Sequence, residues 1–391
     1  MLAFSDFHSV MEVRRYLARF LMHSPGLTHL QGILHTEYNE YDSIIKPLHL
    51  WLTSLGVQFQ SGTTVEEIEM SADNNTATRL HLRTAKGPSK IDLTVDDLVF
   101  FTNGSLTQNS REGTTDTVAA LEASTTDRGC FSVWEKLAKT HPKFGHPEVF
   151  LTNIDKTNWI SFFPTIKEPA FFDYMEKKTG NVAGTGGAIT IVDSRWKLSC
   201  VLYGKYYPTQ PKDVNVLWAY GQDSAVVGDF VKKPMKECTG REMFFELLSH
   251  CGLDPVQRDR VLNHSKVATS MMPYITSQFM PRKVTDRPRG IPEGCRNLAF
   301  IGQFVEVDGD VVFTVETSVR TAMDAVWGLT RLDKPKIPMY EPMYDLRVLA
   351  AMLSSQIQTK DFSLSTLSSL IQSAPSPGRV VKFLRELPPP P

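Results

Sequence analysis

Asn103, Gly104 and Ser105 follow the apolar run at residues 98–101, separated from it by Thr102, and could contribute amide and hydroxyl groups to a binding site. Ligands of α/β proteins collect at the carboxyl ends of sheet strands, which is where the sequence puts this tripeptide. An Asn-Gly turn that merely ends a strand is the alternative. From the residues alone, both interpretations stay open.

Other candidate motifs lack the spacing that their chemistry needs. The stretch GNVAGTGGAIT (180–190) is rich in glycine but matches neither GxGxxG nor the P-loop, which favours a plain turn. The ten histidines contain no HExxH motif, and no GxSxG elbow is present. We therefore predict neither a metal site nor serine hydrolase chemistry.

The segment GQFVEVDGDVVFTVETSVRTA (302–322) resembles a β-hairpin with an Asp-Gly turn. Its apolar residues after Thr314 recur at helical spacing, however, so a helix with one apolar face must begin near that residue. We predict a buried strand NLAFIGQF (297–304), a loop, and a helix entrance at Phe313 and Thr314.

The remaining pattern predicts mixed helices and strands. We predict helices at 10–21, 42–55, 131–140 and 239–251, strands at 57–60 and 63–70, and a β-rich segment over 78–101. Residues 106–130 are predicted to form a surface loop and residues 145–225 an irregular, aromatic-rich region. From residue 334 the sequence indicates a helical tail with proline-rich breaks.

Composition limits the class of protein. With 391 residues and 41% hydrophobic content the chain can bury a large core, and 42 basic residues nearly cancel 43 acidic ones. We therefore expect a small-molecule partner and no nucleic acid. The five cysteines are scattered and no apolar run approaches about 20 residues, so we expect a soluble protein of a reducing, cytoplasmic compartment.

Several segments together carry a family resemblance. They include HSVMEVRRYLARFLMHSPGL, EYNEYDS, DDLVFFTNGS, MPYITSQFMPR, NLAFIGQF and DVVFTVETSVRTAMDAV. In this order they resemble the oleate hydratases, also called the myosin-cross-reactive antigen family, from about residue 3 to at least residue 330.

The resemblance implies an FAD-dependent hydratase that adds water to a cis double bond of an unsaturated fatty acid. It implies an α/β fold with α+β elements: a partial FAD-binding flavoprotein core with a mixed sheet and a substrate domain over 1–333, and a C-terminal helical tail over 334–391. We expect a homodimer. Contact with a membrane surface is conceivable for a lipid substrate, although the tail has no strongly basic face.

The resemblance also implies the cofactor-binding residues. They are Val65, Asn103, Gly104, Ser105, Gly302, Gln303, Val311, Phe313 and Thr314. The family begins with a strand, a glycine-rich phosphate turn and a helix, followed by an Arg-Glu pair that activates water, and this sequence contains none of these. We therefore expect either a truncated hydratase or, as the alternative, a non-catalytic lipid-binding protein.

Tyr16, in RRYLARF, matches the family tyrosine proposed to protonate the alkene. A phenol with a pKa near 10 is a weak acid and would need nearby positive charge or a reduced flavin to favour proton transfer. Without the resemblance, Tyr16 would be an ordinary helix tyrosine at the edge of the core.

The fatty acid carboxylate is expected near Glu40, Val201, Tyr203 and Tyr207, where relatives carry other residues. Two like charges 4 Å apart repel by about 4 kcal/mol at an effective dielectric near 20, which offsets the burial of about five methylenes. Unless Glu40 is protonated or neutralised by Lys205, the head-group site must differ. We therefore expect an altered preference for chain length or head group.

Overall fold

A computed structural model describes residues 4–26, 34–121, 127–311, 315–335 and 337–357. The helices in these ranges are α1 Val10–Phe20, α2 Lys46–Ser54, α3 Cys130–Thr140, α4 Glu148–Leu151, α5 Ile154–Thr157, α6 Pro169–Thr179, α7 Gly240–His250, α8 Pro255–Asn263, α9 Val315–Thr330 and α10 Leu346–Ile357. The strands are β1 Thr63–Met70, β2 Ala77–Thr84, β3 Gly87–Asp92, β4 Val99–Thr102, β5 Arg111–Gly113, β6 Trp159–Ile166, β7 Ala188–Thr190, β8 Ser199–Tyr203, β9 Asn215–Gly221, β10 Ser265–Met272 and β11 Leu298–Ile301.

The strands of the described residues form three sheets. The largest has the order β5-β10-β6-β9-β8-β7 and is antiparallel throughout. A second antiparallel sheet has the order β1-β2-β3, and β4 pairs with β11 in parallel. The fold is therefore mixed α/β as predicted, but the expected mixed sheet is divided into separate antiparallel and parallel sheets.

One core lies between the six-stranded sheet and three helices. Alternate residues of β6, β8 and β9 point toward α6, α7 and α8, and their apolar side chains are buried together with Phe171, Phe244 and Leu247. At the start of α7, Thr239 Oγ1 accepts a hydrogen bond from the backbone N–H of Glu242, whose side chain accepts one from Thr239 N–H. This reciprocal cap fixes the helix start where the sequence predicted it.

A second core is aromatic and joins α3 to the smaller sheets. Trp134 is fully buried, donates from Nε1 to the carbonyl of Phe144 at 2.6 Å, and lies against Phe131, Phe150 and Phe304. Because β1, β2, β4 and β11 also contribute to this core, the loops after β4 and β11 are held close together.

A buried cluster of charged side chains ties α1 to two distant segments. Arg282 contacts Glu12 of α1 at 2.7 Å and Glu306 at 2.8 Å, and all three side chains are fully buried. Arg15 contacts Glu306 at 3.0 Å, and the buried Arg287 lies 3.9 Å from Glu12. We call these five residues the charge cluster; it holds three guanidinium groups and two carboxylates.

The predicted helices at 10–21 and from residue 314 are confirmed, but their orientation differs from that of ordinary amphipathic helices. In α1, Val10 is 82% exposed, whereas Glu12 is buried. In α9, Val319 is 51% exposed, whereas Thr321 is buried and its hydroxyl accepts a hydrogen bond from Gly302 N–H. Part of each apolar stripe faces outward because polar contacts occupy the inner side.

Two regional predictions were wrong. The region 145–225, predicted to be irregular, contains β6, α6, β7, β8 and β9, whose buried residues form much of the first core. Its strands are separated by turns and by α6, and their stability comes from pairing across the sheet, which periodicity does not reveal. Residues 57–60, predicted to be a strand, pair with no strand of the described residues.

The loop predicted to follow NLAFIGQF is confirmed over its described residues, 305–311, which form no hairpin, but β11 ends at Ile301 rather than at the predicted Phe304. The predicted helix at 42–55 exists as a π-helical turn, Tyr41–Ile45, followed by α2. Gly56, with φ of +88°, ends it in a conformation that suits glycine. Across the described ranges, every helix is too short or too polar to cross a membrane.

Replacing Arg282 with methionine should destabilise the protein by about 3–5 kcal/mol, because the buried carboxylates of Glu12 and Glu306 would each lose their shortest ion contact. The free energy of unfolding in urea measures this loss. Arg296→Met is the matched control, since Arg296 makes an exposed ion pair with Asp73 at 3.2 Å. Equal losses in both variants would contradict a special role for the charge cluster.

Candidate functional site

The face of the six-stranded sheet that points away from the first core is polar and aromatic. On this face Tyr220 stacks on Trp159 with ring centroids 4.5 Å apart and lies 5.0 Å from Trp218. Trp218 Nε1 donates to Ser161 Oγ at 3.2 Å. The buried Nε1 of Trp159 has no hydrogen-bond partner within the described residues. We call this surface the aromatic face.

Helix α1 presents Tyr16 toward the aromatic face. The Tyr16 ring lies 5.5 Å from that of Phe4 and 4.7 Å from that of Phe20, and Phe4 in turn packs on Phe279 at 4.3 Å. Tyr16 is close enough to Tyr220 for the Tyr220 phenol to raise the pKa of Tyr16. The candidate proton donor therefore lies between α1 and the sheet, within an apolar, aromatic setting.

This setting makes Tyr16 a firmly protonated phenol. Burial raises the pKa of Tyr16 above its ordinary value, and the neighbouring Tyr220 raises it further. The pKa of Tyr220 is also raised by burial, against a hydrogen bond to Ser199 that lowers it. This upward shift of the pKa makes Tyr16 a weaker acid. Proton donation therefore needs stabilisation of the phenolate that forms.

A second group of aromatic residues surrounds the end of β8. Tyr203 and Tyr206 have ring centroids 4.9 Å apart, and Tyr206 and Tyr207 4.8 Å apart. Burial, followed by the neighbouring Tyr206, raises the pKa of Tyr203 to about 12. Val201 lies on the same side of β8 and pairs with Trp218 of β9. The predicted Val201, Tyr203 and Tyr207 are thus close to one another.

Glu40 is adjacent to this tyrosine group. The preceding residue, Asn39, donates to the carbonyl of Tyr206 from its backbone N–H at 3.0 Å and from its side chain at 2.9 Å. The Glu40 charge contributes to a raised pKa of Tyr206, after burial and Tyr207. Glu40 itself is exposed, and Lys205 lies 3.6 Å from Glu37 rather than pairing with Glu40.

The tyrosine group lies at the end of β8, and the aromatic face includes residues of β9, which pairs with β8. Tyr220 is paired with Ser199, and Tyr203 lies four residues further along β8, which corresponds to roughly 13 Å at about 3.3 Å per residue. An extended acyl chain with its carboxyl group near Tyr203 would bring its middle portion near Tyr16. The surface between them is apolar and aromatic, with a few hydroxyl groups.

Several predicted cofactor residues converge at the carboxyl ends of β4 and β11. Asn103 Nδ2 donates to the carbonyl of Phe304 at 3.0 Å, and Gln303 Oε1 accepts from Leu106 N–H at 3.4 Å. Asn103 is fully buried, and its Oδ1 has no hydrogen-bond partner in the part of the chain described. This buried acceptor, at the ends of two parallel strands, fits one N–H donor of a flavin ring.

Packing and backbone conformation explain why glycine occurs at the nearby positions 104 and 302. A Cβ atom on Gly104 would lie 2.2 Å from the Phe131 ring, so packing alone demands glycine there. Gly302 ends β11 with φ of +97°, a conformation that favours glycine. The phosphate-binding residues of a dinucleotide site are not among those described, so the fit extends to one edge of a flavin.

The other predicted cofactor residues are dispersed. Val311 is buried next to Asp310, whose carboxylate lies 3.5 Å from Arg19. Val65 lies on β1, opposite Leu82, and packs against the second core. Phe313 and Thr314 lie outside the described residues. The structure therefore brings Asn103, Gly104, Ser105, Gly302 and Gln303 together, but not Val65.

Sequence reasoning missed the aromatic face and the charge cluster. The alternation in Trp218-Ala219-Tyr220 was a signal for the aromatic face, but only strand pairing shows that Trp159 joins it.

Within the described ranges, Asp229, Glu246 and His250 are close enough to share a metal ion. Both oxygens of Glu246 already accept backbone N–H groups of residues 229–231, which is a structural role.

Comparisons with known proteins agree with the resemblance. A family profile described as the MCRA family matches residues 1–327. An oleate hydratase of Streptococcus pyogenes serotype M49 (strain NZ131) is 39% identical over 363 residues, which cover 89% of this chain and 61% of that protein. A linoleate hydratase of Lactiplantibacillus plantarum is 29% identical over 369 residues, 87% of this chain and 64% of that protein. The chain thus spans less than two thirds of either relative.

The Tyr16 phenol should ionise only above pH 10, since its folded-state pKa is raised. Because the folded-state pKa is raised, the contribution of Tyr16 to the free energy of unfolding is fully present below the unfolded-state pKa of about 10. This contribution is lost as the pH rises through the folded-state pKa. Carbon-13 NMR of labelled tyrosines, with Tyr16→Phe to assign the signal, measures this titration. A Tyr16 signal that titrates at or below pH 10 would contradict the burial argument.

Proposed function

Because this chain belongs to the MCRA family, we propose that it supplies the fatty-acid-binding and proton-donating part of a hydratase acting on unsaturated fatty acids. The names of the two relatives, oleate hydratase and linoleate hydratase, support this substrate class. The carrying observation is the position of Tyr16 against an aromatic face of acyl-chain dimensions.

In the proposed reaction, the Tyr16 hydroxyl gives its proton to one carbon of the cis double bond, and water adds to the other carbon. The aromatic face holds the acyl chain and excludes bulk water, while the end of β8 faces the head group. A base must take the proton that the water molecule loses as its oxygen bonds to carbon, and that proton must then return to the Tyr16 phenolate for the reaction to balance. Glu12 and Glu306 are nearby in the fold, but Arg282 holds both, which makes them poor candidates.

We propose FAD as the cofactor, with Asn103, Gly302 and Gln303 along one edge of its ring. When bound, the flavin would supply electrostatic stabilisation and shape rather than net redox chemistry. The unpartnered Oδ1 of Asn103 supports this assignment because an acceptor buried without a donor is costly. A purified, folded protein that retains no FAD absorbance after incubation with FAD and removal of the free cofactor would count against it.

Tyr16→Phe should lower the rate of oleate hydration by about 10² to 10⁴, because a positioned general acid is lost while the apolar ring remains. Hydroxy fatty acid is measured by mass spectrometry with FAD present, and oleate binding by fluorescence titration. Tyr41→Phe, at a 62% exposed tyrosine, is the control and should leave the rate unchanged.

The same assay separates the two candidate functions. If the parent chain hydrates oleate and Tyr16→Phe does not, the catalytic proposal holds. If the parent binds oleate without forming product, the chain is a non-catalytic lipid-binding protein. Failure to bind oleate at all would defeat both.

Glu40→Gln should strengthen oleate binding about fivefold, because the exposed Glu40 repels a carboxylate by about 1 kcal/mol at water-like dielectric. Because Glu40 is exposed, this repulsion is weaker than the repulsion of about 4 kcal/mol that the sequence suggested. Glu67→Gln is the matched control, since Glu67 is an exposed glutamate of β1, in the separate sheet β1-β2-β3. Unchanged affinity in Glu40→Gln, or an equal gain in the control, would show that the head group lies elsewhere.

A further inference from the structure

A histidine and two carboxylates converge where the segment between β9 and α7 meets that helix. Glu246 and His250 lie one turn apart on α7, and Asp229 belongs to the preceding segment. His250 Nε2 is 3.3 Å from Asp229 Oδ2 and 3.6 Å from Glu246 Oε1. Imidazole nitrogen and carboxylate oxygen are both zinc ligands in proteins.

The Nε2 atom of His250 is buried and makes no hydrogen bond with the residues that the structure describes. The side chain is only 9% exposed, and the Phe230 ring packs edge-on against it with ring centroids 5.0 Å apart. Both neighbouring carboxylate oxygens are farther away than in a normal N–H···O hydrogen bond, which spans about 2.7–3.2 Å. A buried polar atom without a partner is costly, so this ring nitrogen calls for a ligand.

The distances match the edges of a zinc coordination tetrahedron. Bonds from zinc to nitrogen and oxygen are about 2.0–2.2 Å long, which places neighbouring ligand atoms about 3.3–3.6 Å apart. Both distances from His250 Nε2 fall in this range, and the three ligand atoms all lie within 4.8 Å of one another. A protonated histidine would instead approach one carboxylate to about 2.7–2.9 Å.

Backbone N–H groups hold both carboxylates in place. Glu246 Oε1 accepts from Asp229 N–H at 2.6 Å, and Oε2 accepts from Phe230 N–H at 2.9 Å and Val231 N–H at 2.7 Å. Asp229 Oδ2 accepts from Arg195 N–H at 3.0 Å. Each carboxylate oxygen has two lone pairs, so Oε1 and Oδ2 each keep one for a metal ion. Outer hydrogen bonds of this kind orient metal ligands.

The close approach of the segment to α7 depends on Gly228. A Cβ atom there would lie 2.8 Å from the Trp196 ring and 3.1 Å from Glu246 Cδ. Gly228 N–H also donates to the carbonyl of Lys233 at 3.1 Å, which closes the turn that carries Asp229. Glu246 is fully buried, whereas the Asp229 side chain is 25% exposed and gives an ion a route from solvent.

We propose that Asp229, Glu246 and His250 bind one Zn²⁺ ion, with water completing its coordination. An imidazole ligand favours zinc over Mg²⁺ and Ca²⁺, which prefer sites made of oxygen alone. The ion fastens the segment between β9 and α7 to that helix, whose apolar side packs in the first core. Zinc binding at this site is independent of the proposed hydratase function.

The test is calorimetric titration of the full 391-residue chain with ZnCl₂ after treatment with a chelator. We expect one ion per chain, retained on dialysis and counted by plasma mass spectrometry, and a higher Tm with zinc than without. Co²⁺ in place of zinc should give the visible absorption of a tetrahedral site without a thiolate band, because the proposed ligands include no cysteine.

Asp229→Asn and His250→Gln should each weaken zinc binding by more than about 100-fold, since loss of an outer contact alone costs about 10–100-fold. Asn at position 229 still offers an oxygen to Arg195 N–H, so the fold is retained, and circular dichroism checks both variants. His81→Gln is the matched control. His81 Nε2 lies 3.0 Å from Glu69 and both side chains are 42% exposed, so this variant should bind zinc as the parent does.

Three results would overturn the proposal. One is a parent chain that retains no zinc on dialysis, which would leave His250 as an ion-pair partner of the two carboxylates. Another is zinc binding that both Asp229→Asn and His250→Gln leave unchanged, and the third is tighter binding of Mg²⁺ than of Zn²⁺. Fatty acid hydration is not measured in this experiment, so its outcome is separate from that of the proposed function.

Discussion

The ion contacts of Arg282 hold the candidate site together. This one guanidinium group joins Glu12 of α1 to Glu306 of the loop after β11, with no solvent exposure of any of the three side chains. Burying such charges costs several kcal/mol each, so the arrangement contributes geometric specificity more than stability. Its consequence is a fixed orientation of α1, which directs Tyr16 toward the aromatic face. Burial, followed by the neighbouring Arg282 guanidinium, lowers the pKa of Arg287 to about 10.

The charge cluster also explains why helix positions could be predicted while helix faces could not. Periodicity located α1 and α9 to within a residue or two, because apolar spacing and capping are local properties. Which side faces inward depends on partners far along the chain, such as Arg282 for Glu12 and Gly302 for Thr321. A single sequence carries no sign of those partners, so the apolar stripe is taken as the inner side by default.

In the candidate site, too, the features with local sequence signals were predicted, whereas those that depend on distant strand pairing were not. The family resemblance identified Tyr16 and the tyrosines near Glu40, and local pattern identified the strand ends at Asn103 and Gly302. Trp159 and Tyr220 were missed, because their stacking requires β6 and β9 to pair in one register. For Gly104 the resemblance implies a cofactor contact, and the structure adds that close packing against Phe131 would by itself require a glycine there.

The raised pKa of Tyr16 limits what the aromatic face can do by itself. A desolvated phenol stays protonated and ready to donate, but the phenolate left after transfer is poorly stabilised among Phe4, Phe20 and Tyr220. In the proposed reaction, stabilising that charge would require positive potential from another group, since preorganised charge in a dry site is far more effective than in water. Arg15 and Arg19 lie on the same helix but are engaged by Glu306, Asp310 and Glu316. The proposed proton transfer would therefore depend on a charge brought to the aromatic face from outside α1.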